Sequence, residues 1–519
     1  MYYKLGIDVG GTNTDAVILN ELHAVIAKCK KATTKDVSSG IKQAVAQVLA
    51  DSGIDSTQIK HAMLGTTQAT NAIIERKGLL KVGVIRLSGP SGHGIPPFIE
   101  WPDDILEAIN SAYFVVKGGY EYNGALISAP DKEEIYNAII KLKEHGIESL
   151  AISCAFAPVN NEQEKLAESI AIEVFGEDFP ITMSHSIGSI GLIERENAAI
   201  LNAAIRELAR TAYGSFQNVL IEHGIHADLF ITQNDGTLMS IEYAKLFPVL
   251  TIASGPTNSL RGAAFLSKKD EAIVIDVGGT TTDVGVLRKG FPRESTTAAE
   301  IGGVRTNFRM PDLITIGLGG GSLVQDKGDT VIIGPQSVGY KIHTEALIFG
   351  GKTLTTTDIA VACGMASLGD PSLIIDISPA LAARTIDNIK LIIEGIIDKM
   401  KTSSEDVSVI VVGGGSILIP DTLNGACEVI KPEHYEVANA IGAAIAQVSG
   451  SIDGVYDVTS KGREAVIEEV KAAAVNEAVK AGADEATVEV VELEEIPLAY
   501  LPSNAVRFRV KAVGNISIQ

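Results

Sequence analysis

Two copies of one glycine-rich string contain the residues whose types and spacing point to chemistry. Residues 7–19 read IDVGGTNTDAVIL and residues 275–287 read IDVGGTTTDVGVL, so nine of thirteen positions are identical at an offset of 268 residues. Paired glycines let the backbone approach an anion closely and point its N–H groups inward, and the neighbouring hydroxyls add donors. We therefore predict two turns that face each other and bind the phosphates of one nucleotide, the alternative being two ordinary hairpins with glycine turns. The residues predicted to bind phosphate are Gly10, Gly11, Thr12, Asn13, Thr14, Gly278, Gly279, Thr280 and Thr281.

Each string also has two carboxylates, one before the glycines and one after them. Asp8 and Asp276 would lie at a strand end, where a carboxylate can reach Mg²⁺ or its waters beside bound phosphates. Asp15 and Asp283 could orient a nucleophile, or each could only stabilise its own hairpin. We predict all four as catalytic residues and Asp8 and Asp276 as the metal-binding pair, because phosphoryl transfer depends on positioning and charge neutralisation.

A third glycine cluster ends a strongly apolar run at residues 407–420, which reads VSVIVVGGGSILIP. Gly413, Gly414 and Gly415 would let the sugar or base of a nucleotide lie against bare backbone. A similar string at residues 314–323, ITIGLGGGSL, could line the same cleft or could form a hinge between domains.

Two further segments have side chains suited to a small substrate. Thr66, Thr67 and Asn71 surround a predicted helix start, where free N–H groups and hydroxyls can bind a carboxylate, a carbonyl or a phosphate. The alternative for the threonines is an ordinary helix N-cap. His185 could act as an acid or a base, or it could be a structural residue. Arg195 lies on a long predicted helix, in a position from which it could face the cleft.

These residues need strands and helices that hold them around a cleft. Apolar runs on both sides of each Gly-Gly pair predict two β-hairpins. Helical patterns cover residues 37–51, 131–145 and 194–220. After Gly450 the pattern changes to a charged amphipathic helix over 461–480, followed by two predicted strands.

The predicted organisation is an α/β fold of two ATPase-like domains with a small α+β appendage. The expected ranges are residues 1–180 for the first domain, 181–450 for the second and 451–519 for the appendage.

Composition narrows the class of protein. The chain has 519 residues, 46% of them hydrophobic, and a formal net charge of −21, so it should form a folded core and should repel a nucleic-acid backbone. No apolar run reaches the roughly 18 residues that a membrane span needs, so we expect no membrane partner. The four cysteines show no metal or disulfide spacing and are expected to be buried, reduced thiols. With no signal peptide in the first residues, these features predict a cytoplasmic protein.

A series of blocks in a fixed order identifies a family resemblance. The chain resembles the superfamily of actin, heat-shock chaperone and sugar-kinase ATPases, and more closely the large subunits of the hydantoinase/oxoprolinase family. Besides the two repeated strings, the blocks that carry this resemblance are GTTQATNAIIERKG (65–78), SHSIGSIGLIERENAAILNA (184–203), TQNDGTL (232–238), PVLTIASGPTNSLRGA (248–263), IGLGGGSL (316–323), IGPQSVGY (333–340) and GGKTLTTTD (350–358).

This resemblance implies two ribonuclease-H-like domains around a cleft that binds ATP and Mg²⁺. It implies an ATP-dependent amidohydrolase, or its ATP-binding subunit, that phosphorylates the carbonyl of a cyclic amide or imide so that water can open the ring. It also implies an oligomer, either of this chain alone or of this chain with a second, unrelated subunit. The same architecture serves ATP-dependent ketone carboxylases.

Two other functions fit the same residues. A small-molecule kinase would release a stable phosphorylated product. An ATP-gated binding or regulatory module would hydrolyse ATP without stimulation by small cyclic amides.

Overall fold

The computed structural model describes residues 2–33, 37–295, 299–307, 310–328, 330–498 and 505–517. The strands are β1 Tyr3–Val9, β2 Asn13–Asn20, β3 Val25–Ala32, β4 Ile59–Thr66, β5 Val82–Gly89, β6 Ala112–Lys117, β7 Ser149–Cys154, β8 Ile181–Met183, β9 Asp228–Thr232, β10 Thr237–Ser240, β11 Ala272–Val277, β12 Thr282–Arg288, β13 Phe291–Pro292, β14 Ala299–Ile301, β15 Val304–Thr306, β16 Leu313–Ile316, β17 Ser322–Asp326, β18 Val331–Ser337, β19 Val407–Val412, β20 Ala426–Ile430, β21 Gln447–Asp457, β22 Glu489–Pro497 and β23 Ala505–Gly514.

The helices alternate with these strands along most of the chain. They are α1 Val37–Ser52, α2 Gln68–Glu75, α3 Asp103–Ile109, α4 Lys132–Glu144, α5 Glu162–Phe175, α6 Leu192–Glu222, α7 Ile241–Leu246, α8 Ser254–Ser267, α9 Ile342–Glu345, α10 Thr356–Ala362, α11 Pro379–Met400, α12 Ala438–Ile445, α13 Val458–Lys461 and α14 Arg463–Lys480.

Local sequence explains where the long helices begin and which face they bury. Helix α11 starts with a serine N-cap, since Ser378 accepts a hydrogen bond from the amide of Leu381, and proline occupies its first turn. Its buried side chains include Ile389, Ile393 and Ile396, at helical spacing, which pack against the six-stranded sheet described below. The predicted helices at 37–51, 131–145 and 194–220 are confirmed as α1, α4 and α6.

The largest sheet in the described residues has nine strands in the order β22-β23-β21-β10-β9-β4-β1-β2-β3. Strands β1, β4 and β9 are parallel, whereas β2 runs antiparallel to β1, as the first predicted hairpin requires. One face of this sheet packs against α1 and α6, and the other face packs against α12. The carboxyl end of β1 leads directly into the first glycine turn.

A six-stranded sheet contains the second copy of the repeat. Its order is β13-β12-β11-β19-β20, with β16 paired to the free side of β12. Strands β11 and β12 form the second predicted hairpin, and β19 lies parallel to β11. Helices α8 and α12 pack against each other between this sheet and the nine-stranded sheet. The α/β fold with two such sheets around a cleft is therefore confirmed.

The chain segment between β4 and β9 forms a separate four-stranded parallel sheet, although β4 and β9 themselves are neighbours in the nine-stranded sheet. Its order is β6-β5-β7-β8, with α4 and α5 packed together over one face and α6 against β7. The ranges 1–180 and 181–450 remain predictions, and strand β8 follows directly after the first of these boundaries.

The last part of the chain has the predicted mixture of helix and strand, and its strands continue the nine-stranded sheet. Strand β21 runs across residue 450, pairs in parallel with β10, and is antiparallel to β23. Helix α14 covers these strands through Val466, Val470 and Ala474. The predicted appendage therefore shares a sheet with the first repeat.

The cysteines differ from the expectation of four buried thiols. Cys154 is buried and Cys29 is half-buried, but Cys363 and Cys427 are exposed, and all four are free. Cys363 directly follows α10, and Cys427 lies on β20, where its side chain is on the solvent side. None of the helices in the described part of the chain combines the length and apolar character that crossing a bilayer requires.

Candidate functional site

The two glycine strings form the same turn. The amide of Gly10 donates to the carbonyl of Asn13 at 2.9 Å, and the amide of Gly278 donates to the carbonyl of Thr281 at 2.9 Å. We call residues 10–13 the first turn and residues 278–281 the second turn. Each turn joins two antiparallel strands, so the duplication in sequence is a duplication in backbone geometry.

The two turns lie against each other. A Cβ atom added at Gly279 would lie 3.0 Å from Cγ2 of Thr12. Within the described residues, the amides of Gly11, Thr12, Gly279 and Thr280 make no hydrogen bond. Two sets of N–H groups without a protein acceptor therefore lie next to each other, and such groups are the donors that an anion requires.

The four predicted carboxylates come together beside these turns. Asp8 is directly opposite Asp15 in the β1–β2 register, and Asp276 is directly opposite Asp283 in the β11–β12 register. Opposite residues of an antiparallel pair project from the same face. The charges of Asp15 and Asp276 both act on Asp8, so the two hairpins contribute to one acidic cluster.

Burial dominates the protonation of this cluster. It raises the pKa of Asp8 from 3.8 to about 6, against hydrogen bonds from Asn258 and Asn439 that lower it. Burial also raises the pKa of Asp283 to about 6, helped by the nearby charge of Asp276. The pKa values of Asp15 and Asp276 are raised for the same reason.

Lys30 is the cation that compensates this negative charge. It lies on β3 opposite Asp15, with its Nζ 2.8 Å from the Asp15 carboxylate. Its positive charge also lowers the pKa of Asp276, and a Cβ added at Gly414 would lie 3.9 Å from Cε of Lys30. Lys30 therefore reaches from the nine-stranded sheet to the glycine loop of the six-stranded sheet. Sequence reasoning missed it, although the register of a β2–β3 hairpin would have placed it opposite Asp15.

Two asparagines on the central helices fix Asp8. Asn258 of α8 donates to Asp8 Oδ1 at 3.0 Å and Asn439 of α12 donates to Asp8 Oδ2 at 3.0 Å. Asn439 also donates to Asp15 at 2.8 Å, so one amide holds both carboxylates of the first hairpin. Both asparagines were missed from sequence. The only signal of Asn439 is a polar side chain at the start of a short apolar helix, and Asn258 is one of several polar residues in the first turns of α8.

The third glycine cluster packs against the second turn. The amide of Gly415 donates to the carbonyl of Val277 at 2.7 Å, and a Cβ added at Gly415 would lie 2.6 Å from the carbonyl oxygen of Gly278. Gly413 has φ +86° and lies against Asp276. The string at 314–323 also lies there, since the amide of Gly321 donates to the carbonyl of Gly279 at 2.7 Å. Close approach of backbones explains why both loops need glycine.

The predicted substrate residues of the first segment lie beside the first turn. Thr66 ends β4 and pairs with Val9, and its hydroxyl accepts a hydrogen bond from the amide of Gln68. Thr67 donates to the carbonyl of Val9 at 3.4 Å and precedes α2 without capping it by its side chain. Asn71 is exposed one turn further along α2.

His185 and Arg195 lie in a different network, at the carboxyl ends of β7 and β8. The guanidinium of Arg195 is fully buried and donates to Ser184 Oγ and to the carbonyls of Ser189, Ile190 and Cys154. His185 Nδ1 lies 2.5 Å from Glu164 Oε2. The protein itself therefore uses all the guanidinium nitrogens of Arg195 and Nδ1 of His185, whereas Nε2 of His185 makes no hydrogen bond within the described residues.

The described side chains around the two turns provide few ligands for a metal ion. In the described ranges no three His, Cys, Asp or Glu side chains cluster with metal-binding geometry. Asp8 and Asp276 nonetheless supply hard oxygen donors in an acidic cluster that Lys30 compensates only in part.

The chain is similar to several proteins of known activity. It is 27% identical over 400 residues to the gamma subunit of acetophenone carboxylase from Aromatoleum aromaticum, covering 70% of this chain and 53% of the relative. It is 25% identical over 380 residues to caprolactamase subunit alpha from Pseudomonas jessenii, covering 70% and 54%. It is 24% identical over 396 residues to 5-oxoprolinase from Dictyostelium discoideum, covering 65% and 31%. The chain thus spans about half the length of the first two relatives, and less of the third.

Solved structures share the fold. The ATP-dependent caprolactamase from Pseudomonas jessenii matches with a TM-score of 0.78 and 19% identity, covering 99% of this chain and 88% of that chain. The nucleotide-free structure of acetone carboxylase matches with a TM-score of 0.70 and 18% identity, with the same two coverages.

Two family models match successive parts of the chain. The hydantoinase/oxoprolinase N-terminal region matches residues 4–175, which include the first turn and the strands β5, β6 and β7 of the four-stranded sheet. The hydantoinase/oxoprolinase model matches residues 195–367, which include the second turn. The chain therefore belongs to the hydantoinase/oxoprolinase family.

Proposed function

We propose that the chain is an ATP-dependent enzyme, or the ATP-binding subunit of one, that phosphorylates the carbonyl oxygen of a cyclic amide or imide so that water can open the ring. The observation that carries this proposal is the pair of facing glycine turns with four carboxylates beside them. Neither turn alone would bind a triphosphate from two sides.

The free amides of the two turns would bind the phosphate oxygens. The amides of Gly11 and Thr12 would hold them from the first hairpin and those of Gly279 and Thr280 from the second, because the amides of Gly10 and Gly278 already donate within their turns. The remaining predicted residues of the two strings would complete the phosphate site. Gly413 to Gly415 would provide the surface for the nucleoside, since Gly414 is exposed beside the second turn. Lys30 would stabilise the added negative charge as phosphate enters an already acidic space.

Asp8 and Asp276 are the proposed ligands of Mg²⁺. Both side chains are carboxylates, and each comes from a different hairpin, so the pair would hold a cation between the two turns. Mg²⁺, when bound, neutralises phosphate charge and takes its remaining ligands from phosphate and water.

Asp283 is the proposed residue for orienting the nucleophile. Asp15 is occupied by Lys30 and Asn439, whereas Asp283 accepts one side-chain hydrogen bond, from Thr315 at 2.5 Å. With a pKa of about 6, Asp283 can take a proton near neutral pH. Asp15 then serves to hold Lys30 and Asn439 in place.

The substrate would bind at the start of α2. Thr66 and Thr67 lie next to the first turn, and Asn71 extends the same polar surface. We propose no substrate role for Arg195, because all three of its guanidinium nitrogens donate to protein acceptors. His185 uses only Nδ1 within the described residues, so the predicted role of its other ring nitrogen stays a prediction.

The names of the relatives support a carbonyl substrate and a multi-subunit enzyme. Caprolactamase and 5-oxoprolinase are named for cyclic amides and acetophenone carboxylase for a ketone, so all three substrates have a carbonyl group. Two relatives are named as a gamma and an alpha subunit. We infer an oligomer with a second subunit, in the cytoplasm that the sequence predicts.

The test is ATP hydrolysis by the purified chain with Mg²⁺, alone and with hydantoin, 5-oxoproline, caprolactam, or acetophenone plus bicarbonate. Asp276→Asn should lower the stimulated rate of ATP hydrolysis by about 10²-fold or more. Asp228→Asn is the matched control, because Asp228 is exposed and begins β9, away from the turns. Thermal shift with ATP measures binding separately, since ligand at 100 times Kd adds about 2.7 kcal/mol.

Each outcome separates the candidate functions. Stimulation by one cyclic amide, lost in Asp276→Asn and kept in the control, supports the amidohydrolase. A stable phosphorylated product would instead identify a kinase, and ATP hydrolysis that no carbonyl compound changes would identify a regulatory module. Absence of any ATP-induced thermal shift contradicts the nucleotide site itself.

A further inference from the structure

A cavity of about 210 Å³ lies where the second half of the chain contacts the first. Its walls come from the segment before α3, from the start of α6 and from the β14–β15 hairpin. That hairpin belongs to the second half, and its Gly302 accepts a hydrogen bond from Arg76, the residue that directly follows α2. The eight residues of α2 span about 12 Å, so the cavity is separate from the phosphate-binding turns.

The floor of the cavity is preformed and partly aromatic. Trp101 donates its indole N–H to Asn197 Oδ1 at 2.9 Å, and Asn197 Nδ2 donates to the carbonyl of Arg305 at 2.9 Å. Trp101 and Asn197 are buried, and Ile99 and Ile193 add apolar surface. These hydrogen bonds satisfy the buried polar atoms, so the floor offers an apolar ligand an ordered surface.

The backbone around Trp101 has an unusual conformation. Phe98 and Glu100 both have positive φ, +65° and +60°, a region that residues other than glycine rarely adopt. Such conformations concentrate at ligand sites, where the surrounding structure holds them in place. Here they turn Ile99, Glu100 and Trp101 toward the cavity.

The rim of the cavity is acidic. Glu194 is 3.6 Å from Arg305 and lies in the first turn of α6, so both an ion pair and the positive end of the helix offset its charge. Glu100 and Glu300 also line the cavity, and neither has an ion-pair partner among the described side chains. Glu300 is directly opposite Arg305 in the β14–β15 register, so this one arginine lies near two of the three glutamates. The lining therefore has three carboxylates and one guanidinium, a formal charge of −2, next to an apolar floor.

We propose that this cavity binds a small organic cation, with its apolar body on Trp101 and its ammonium group beside Glu100 and Glu300. A cavity of about 150 Å³ holds benzene, so this one has room for a six-membered ring with a short aminoalkyl arm. The carboxylates favour a cation over a neutral ring of the same shape, while the aromatic floor packs against the apolar body of either ligand. The site is independent of the proposed ATP chemistry.

The chain itself supplies the probe, because Trp101 is its single tryptophan. Fluorescence excited at the tryptophan should change on titration with benzylamine, and benzyl alcohol and benzoate are the neutral and anionic controls of the same size. We expect benzylamine to bind more tightly than both. In the double variant Glu100→Gln/Glu300→Gln, benzylamine should bind about five- to tenfold more weakly, while benzyl alcohol binds unchanged.

The matched control is Glu468→Gln, an exposed carboxylate on α14 far along the chain from this cavity. It should bind benzylamine as the unaltered protein does. Thermal shift of each variant checks that it is folded, and both substituted glutamates are exposed. Equal affinity for benzylamine and benzyl alcohol, or benzylamine binding that the double variant leaves unchanged, would overturn the cation site. So would the absence of any response of Trp101 or of the melting temperature to millimolar benzylamine.

Discussion

Lys30→Met tests whether the acidic cluster depends on a single cation. In the folded protein Lys30 Nζ lies 2.8 Å from the carboxylate of Asp15, and the two side chains are 30% and 2% exposed. Methionine keeps the length and the apolar stem of lysine but removes the charge. Asp15 would then remain buried with the amide of Asn439 as its main donor.

The magnitude follows from the exposure of the two partners. Removing one partner of a fully buried ion pair costs about 3–5 kcal/mol, and an exposed pair contributes about 1 kcal/mol or less. Lys30 is between these cases, so we expect the free energy of unfolding to fall by about 2 kcal/mol. Lys31→Met is the control, because Lys31 makes one hydrogen bond, to Gln47 at 3.2 Å, and should change stability by less than about 0.5 kcal/mol.

A double-mutant cycle with Asp15→Asn isolates the pair. Asparagine at position 15 has no charge for Lys30 to compensate, so Lys30→Met should be nearly neutral in that background. The coupling energy from urea denaturation should therefore be about 2 kcal/mol. ATP turnover should fall about 10²-fold in Lys30→Met and stay normal in Lys31→Met. A coupling energy near zero, or full turnover in Lys30→Met, would refute the assigned role of Lys30.

Three other predictions follow from the same contacts. Ionisation of Asp8, whose pKa burial raises to about 6, costs the folded protein stability as pH rises from 4 to 6.5. Without Mg²⁺, the free energy of unfolding of Asp8→Asn should not show this fall, which should reach about 3 kcal/mol in the unaltered protein. A difference in unfolding free energy between the two proteins that stays constant from pH 4 to 6.5 would contradict the prediction. Gly415→Ala places a methyl group 2.6 Å from a backbone oxygen of the second turn and should cost about 1–3 kcal/mol, whereas Gly414→Ala, with no atom closer than 3.9 Å, should cost little by the same measurement. Arg195→Met should lower the free energy of unfolding by about 3 kcal/mol or more, which thermal denaturation would report as a lower melting temperature. The fraction that remains folded should keep the KM of the unaltered protein.

The acidic cluster was predictable because hairpins are local. Asp8 and Asp15 are separated by a four-residue turn and its flanking positions, so their opposition follows from the spacing in the sequence alone. The identical spacing of Asp276 and Asp283 then implied a second site of the same shape. That the two hairpins face each other was an inference from duplication, and the contact between Thr12 and Gly279 agrees with it.

The partners of these carboxylates were not predictable in the same way. Asn258 and Asn439 lie 250 and 431 residues from Asp8, and nothing local tells which polar side chain will meet a buried carboxylate. Arg195 illustrates the converse limit. Helical spacing identified the face of α6 on which it lies, but burial and four protein acceptors decide its role, and periodicity reports neither.

The end of the chain illustrates a third limit. The change of character after residue 450 suggested a separate unit, and the predicted helix and strands are present. Whether strands join an existing sheet depends on which edge is free. Strand β21 pairs with the free edge of β10. That edge exists because β10 pairs with β9 on its other side, and the sequence analysis did not predict the β9–β10 pairing.

The two central helices explain how distant residues fix one cluster. A Cβ added at Gly262 of α8 would lie 1.9 Å from the carbonyl oxygen of Ala438, and one added at Gly442 of α12 would lie 1.9 Å from that of Asn258. Glycine at these two positions lets the helices pack backbone against backbone, because any side chain at either position would force them apart. Asn258 and Asn439 are carried by these helices, one on each, and both donate to Asp8. The position of Asp8 therefore depends on helix packing between the two sheets as well as on its own hairpin.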